Sequence, residues 1–146
     1  MNTWVLVADR ARARLFSVTA DGAELLEIAD FVNPEGRALA HELESDRLPR
    51  TFESVGGARH AIEPHTTTKQ KTADRFAHRL HEALERGRVE RSYDQIVLIA
   101  SPHFLGTLNA AIGKQVRRHV VSEVHKDLTT LTPAEIRQHL PKHLVN

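Results

Sequence analysis

No cysteine occurs anywhere in the chain, which removes disulfides, thiolate metal sites and a cysteine nucleophile at once. No apolar run approaches the ~20 residues needed to cross a bilayer. Residues 1–8 are too short, and too closely followed by Arg10, Arg12 and Arg14, to form a signal peptide. A cytoplasmic protein without a membrane partner is the expectation. A dominant charge is missing too: 20 Lys and Arg face 19 Asp and Glu, a net charge of +1 with histidine neutral, which is not the balance of a general nucleic-acid coat. Internal repeats and low-complexity tracts are absent. What is present is ordinary for a folded domain. Charged residues make up 27% and hydrophobic ones 40% of 146 residues, so residues 1–146 read as one domain with a real core.

The first third reads as strands. Thr3 to Ala8 is a short apolar run suited to a buried strand. Asp9-Arg10-Ala11 can turn the chain back into the alternating Arg12 to Val18. Asp21-Gly22 is a hairpin signal, and Glu24 to Val32 follows as a third strand. The later part has helical spacing in Ala73, Phe76, Ala77, Leu80 and Leu84, with Gly87 expected to close that helix. Ile96 to Ala100 is an apolar strand, and Ser101-Pro102 an N-cap with proline at the first helical position. Leu105, Leu108, Ile112 and Val116 carry the next helix, and His119 to His125 the last strand. Thr132-Pro133-Ala134-Glu135 has the capping-box pattern that opens a terminal helix through Leu140. The fold class is therefore α/β: an antiparallel three-strand meander followed by αβαβα in a ribonuclease-H-like mixed sheet.

Between these patterned parts, Asn33 to Thr68 shows no apolar rhythm and is expected to form a long loop insertion after the third strand. Compact domains rarely keep a loop beyond ~12–15 residues without a use for it. This one carries Asp46-Arg47-Leu48-Pro49-Arg50, Gly56-Gly57-Ala58-Arg59-His60 and Glu63-Pro64-His65-Thr66. Paired glycines let a backbone approach a partner closely. Gly56 and Gly57 beside Arg59, His60 and His65 would thus form an anion-binding tip, suited to RNA phosphate, a ribosomal surface or a nucleotide. Lys69, Lys71 and Arg75 extend the positive charge along the helix that follows. A solvated helix face and a plain flexible turn are the bland alternatives.

Other chemistry finds little support. His78 and His81, or His139 and His143, lack the carboxylate or spacing of a known ligand set, and no His-Glu-x-x-His occurs, so no metal is expected. A two-metal nuclease needs carboxylates converging at strand ends. Asp9 with Asp74 or Glu82 could contribute, but the strand ending at Ala100 leads to Ser101-Pro102-His103 without an acid. Ser101 and His103 are too close in sequence for a nucleophile–base pair. No Gly-x-Ser-x-Gly elbow or phosphate-cradling Gly-Lys-Ser/Thr loop is present, and no cofactor is expected.

Several segments carry a resemblance. Trp4-Val5-Leu6-Val7-Ala8-Asp9, Arg59-His60-Ala61-Ile62-Glu63-Pro64, Arg75-Phe76-Ala77, Ser101-Pro102-His103-Phe104-Leu105-Gly106 and Lys126-Asp127-Leu128-Thr129 resemble the bacterial family of host attachment proteins over nearly the whole chain. That family is in turn similar to the middle domain of archaeal and eukaryotic peptide-chain release factors, a ribonuclease-H-like fold. There, a loop bearing Gly-Gly-Gln precedes a helix with Arg-Phe-Ala. Here Gly56-Gly57 and Arg75-Phe76-Ala77 match those features, but Ala58 stands in place of the glutamine. A methyl group neither donates nor accepts a hydrogen bond, which argues against peptidyl-tRNA hydrolysis by that route. The resemblance implies a ribosome- or tRNA-binding factor of rescue or hibernation type. A non-catalytic protein-interaction module, working with a protein partner or as a homodimer and affecting attachment indirectly, is the alternative.

Overall fold

The structure, a computed structural model, describes residues 1–37 and 56–144, and for residues 56–67 the backbone alone. Strands β1 (Thr3–Ala8), β2 (Arg12–Val18) and β3 (Leu25–Val32) form the antiparallel meander that the alternation suggests. Strands β4 (Gln95–Ala100) and β5 (Val120–His125) add in parallel, giving one sheet in the order β3-β2-β1-β4-β5. The fold is a mixed α/β sheet.

Turn chemistry sets the meander. Asp9 bends the β1–β2 connection, its Oδ1 accepting from the amides of Ala11 and Arg12, both at 2.8 Å. Gly22 takes φ 72° in the β2–β3 turn, the left-handed region in which glycine is unstrained. A register shift between Leu15 and Phe16 leaves Ile28 without an opposite residue, a bulge in the edge strand β3.

Helix α1 (Gly56–Val89) and helix α2 (Pro102–Ala111) cover one face of the sheet. Phe76, Leu80 and Leu84 of α1 bury against Leu6, Leu15, Ile96 and Leu98, with Phe104, Leu105 and Leu108 of α2 completing that layer. A side chain such as Phe76, fully removed from water, stabilises by ~1.5–3 kcal/mol. The helix expected to run through Val116 ends at Ala111, where Ile112 and Gly113 are extended, and a separate short α3 (Lys114–Arg117) brings Val116 to the same core. The opposite face, through Val5, Val7, Phe16, Val97 and Ile99, is capped by Leu128, Leu140 and Ile136 of α4 (Pro133–Arg137). The capping box at Thr132 is formed in both directions. Glu135 N donates to Thr132 Oγ1 at 3.2 Å, and Thr132 N donates to Glu135 Oε1 at 2.9 Å.

Two further expectations are corrected. The stretch expected to be loop as far as Thr68 is helical from Gly56 onward. The sequence of residues 56–68 lacks an apolar stripe, so periodicity had nothing to detect. Residues 34–37 form a helical turn, and 38–55, with Asp46 to Arg50, lie outside the described residues. Gly87 does not close α1, which continues to Val89; the left-handed residue beyond it is Arg91, at φ 57°. Gly87 is a packing position instead. A Cβ there would stand 2.5 Å from Cη2 of Trp4. Among the described residues, no helix is long and apolar enough to cross a membrane.

Candidate nucleic-acid interface on helix α1

Helix α1 presents two chemically opposite sides. At ~3.6 residues per turn, Ala73, Phe76, Ala77, Leu80, Leu84 and Gly87 share the buried side. Lys71, Arg75, His78, Arg79, Glu82 and Arg86 lie on the exposed one. Of the basic residues singled out in the sequence, Lys71 and Arg75 are together on this outer side. Lys69 is not: it falls on the line of Leu80 and Gly87 and is half-buried. Its separation follows from helical geometry, since two residues apart means about 200° around the axis. Gly56, Gly57, Arg59, His60 and His65 lie in the helix rather than on a loop tip, and the side chains of these positions are outside the described residues.

The outer arginines are positioned by the end of β3 and the segment that follows it. Arg75 Nη2 donates to Glu35 Oε2 at 2.6 Å, and Arg79 Nη1 donates to the Val32 carbonyl at 3.2 Å. The Arg79 guanidinium also lies over the Phe76 ring, 5.4 Å from its centroid. Asn33 is buried and its Nδ2 donates to the Arg10 carbonyl at 2.8 Å, tying this segment to the β1–β2 turn. Between residues 33–35 and the helix lies an open groove of about 470 Å³, lined by Asn33, Glu35, Asp74, Arg75, His78 and Arg79 over Phe76. Asp74 is engaged along its own helix, accepting from Gln70 Nε2 at 2.8 Å. A signal for this wall that the loop reading passed over is Asn33-Pro34, a residue type favoured at N-caps followed by proline.

Among the described residues, the alternative chemistries have no assembled site. Asp9 is a turn residue whose remaining oxygen lies 3.3 Å from Thr129 Oγ1. Asp127 is likewise turned back on Thr129, accepting from its amide at 3.1 Å and its hydroxyl at 2.8 Å. His78 and His81, their rings 6.0 Å apart, serve different partners: Glu82 at 3.2 Å for His78 and the Gly113 amide at 3.4 Å for His81. Among the described residues, no three His, Asp or Glu side chains gather as metal donors. Ser101 stands at the N-cap of α2 with ψ 152°, but its side chain makes no capping hydrogen bond.

Away from the helix, Arg14 is the most committed charge. It is 7% exposed and grips Glu27 with two bonds of 2.9 Å, while its Nη1 reaches the carbonyls of Thr129 at 3.0 Å and Leu131 at 2.6 Å. The hydrogen bond from Arg14 lowers the Glu27 pKa, and burial raises that of Asp30 beside it. This cluster joins the β2–β3 hairpin to the segment leading into α4, a structural role.

Compared with known proteins, the chain matches over residues 4–140 the model of a family described as protein required for attachment to host cells. The chain belongs to that family. No curated protein matches it significantly.

Proposed function

For this member of the host-attachment family, we propose binding to structured RNA, on the ribosome or tRNA, through the outer face of α1. One observation carries the reading: Lys71, Arg75, Arg79 and Arg86 are exposed on one side of a helix whose other side is buried. Fixed cations along a rigid rod suit a phosphate backbone, which positions a protein before any base is read. The order β3-β2-β1-β4-β5, antiparallel then parallel, supports kinship with ribonuclease-H-like sheets and with the release-factor middle domain. Rescue or hibernation in the cytoplasm is the role this implies, without hydrolysis, because Ala58 follows Gly56-Gly57. Host attachment would then be a downstream effect.

The test is sedimentation of the purified protein with ribosomes of its own source, at low and high salt. Each phosphate contact contributes ~0.7–0.9 to the salt slope, so three contacts predict about a 20- to 40-fold loss of affinity over a fourfold rise in salt. The Lys71→Ala/Arg75→Ala/Arg86→Ala variant should lose that dependence together with most of its binding. Unchanged co-sedimentation of the triple variant overturns the surface assignment.

One observation favours the protein-interaction reading. The strand β3, at the sheet edge among the described residues, exposes Leu26, Ile28 and Val32 to 53%, 48% and 43%, apolar side chains spread over both faces of that edge. A complex formed there would survive high salt, because apolar contacts are not screened.

A further inference from the structure

We infer that the groove between α1 and residues 32–35 receives one unpaired nucleotide of RNA, its base stacked on Arg79 and its phosphate on Arg75 in place of Glu35. The inference rests on the RNA reading above and adds the strand type and the residues that select it.

Arg79 is held as a plane. Its Cζ lies over the Phe76 ring, 5.4 Å from the centroid, and its Nη1 donates to the Val32 carbonyl at 3.2 Å. The residue is exposed and lines the groove, so a base entering there can reach the guanidinium. Unstacked bases of RNA settle on arginine planes of this kind, whereas bases inside a duplex are already stacked and cannot. A guanidinium already fixed in place loses little rotamer freedom when a base arrives.

Arg75 supplies the exchangeable charge. Its partner Glu35 lies at 2.6 Å, but both side chains are more than half exposed, at 59% and 62%. Such a surface pair is weak in water, and a phosphate offers the same fork a charge-assisted acceptor of equal geometry. Glu35 therefore stands where the phosphate binds, and leaves when it does. Asp74 remains on the opposite rim, fixed by Gln70. Two carboxylates beside the groove repel a dense run of phosphates. A single nucleotide with its base inward is tolerated; a duplex backbone tracking through the groove is not. At about 470 Å³, the space is in the range of small-ligand clefts.

The experiment is fluorescence anisotropy at low salt, with a labelled single-stranded RNA of eight or so nucleotides and a blunt RNA hairpin of the same composition. Arg79→Lys keeps the charge and removes the plane. Base stacking on such a platform predicts a loss of roughly tenfold for the single strand and little change for the hairpin. Glu35→Gln should tighten single-strand binding by about two- to fivefold, the range expected for releasing an exposed pair. Both positions are exposed, so unchanged melting temperatures are expected to exclude a folding defect. If Arg79→Lys leaves single-strand binding intact while Lys71→Ala/Arg75→Ala/Arg86→Ala abolishes binding, the groove assignment falls and RNA binding by the helix face stands. If the unaltered protein binds neither RNA, both fall.

Discussion

Replacing Arg14 by alanine tests the structural logic of the whole α4 layer. The residue is 7% exposed, and its guanidinium makes four hydrogen bonds: two to Glu27 at 2.9 Å, and one each to the carbonyls of Thr129 and Leu131 at 3.0 and 2.6 Å. Removing one partner of a buried pair costs ~3–5 kcal/mol, because the other is left unpaired. Here the Glu27 side chain keeps 28% exposure, so water partly replaces the lost partner, and the low end, ~3 kcal/mol, is expected. For a chain of this size that is a melting-temperature drop of about 6–12 °C. Urea unfolding followed by Trp4 fluorescence gives the free energy directly. Hydrogen exchange should show the amide of Ile136 opening first, because Arg14 ties the preceding segment to the sheet. The Arg14→Ala/Glu27→Ala double variant should recover part of the loss, with a coupling of ~1–3 kcal/mol. A single-variant cost under ~1 kcal/mol would refute the reasoning, since it lies below any buried-pair penalty.

Gly87→Ala gains helix propensity, ~1 kcal/mol, but sets a methyl 2.5 Å from the Trp4 ring and 3.0 Å from Tyr93. Overpacking of ~1–3 kcal/mol wins, so the melting temperature falls by about 2–4 °C; a rise would show that the rings yield freely. Acid unfolding should depend on Glu27. Its folded pKa is lowered by Arg14, so its contribution is complete above the unfolded value of ~4.3 and is lost as pH falls through the lower folded value. Asp30, raised by burial, works oppositely, contributing below its unfolded value of ~3.9 and losing that contribution as pH rises through its folded one. Arg14→Ala should therefore flatten the acid limb of stability against pH; an unchanged limb would mean that other carboxylates set it. Tyr93, the single tyrosine, is pushed up to about 12 by burial, with its hydroxyl donating to the Leu84 carbonyl at 2.7 Å. Ultraviolet titration should show no phenolate step near pH ~10 in the folded protein, and a normal step there would place the ring in water.

The distance between sequence and structure follows the range of the interactions. Alternation along Arg12 to Val18, the apolar run of β4, the Asp21-Gly22 turn and the Thr132–Glu135 capping box are all local, and each carries its own chemistry within a few residues. Composition and period therefore determined the element order, the mixed α/β class and the opposed faces of α1 around Phe76 and Leu80. Three things had no local signature. The helical state of residues from Gly56 onward lacks an apolar stripe. Gly87 looks like a helix stop until Trp4, from the first strand, is seen against it. Arg14 looks like one more surface cation until Thr129 and Leu131, 115 and 117 residues away, close over it. Tertiary structure also divided the basic run, turning Lys71 and Arg75 outward with Arg79 while setting Lys69 toward the core side, and it brought Glu35 and Val32 to the two arginines. A residue's neighbours three or four positions away are written in the sequence; its partners across the sheet are chosen only when the chain closes on itself.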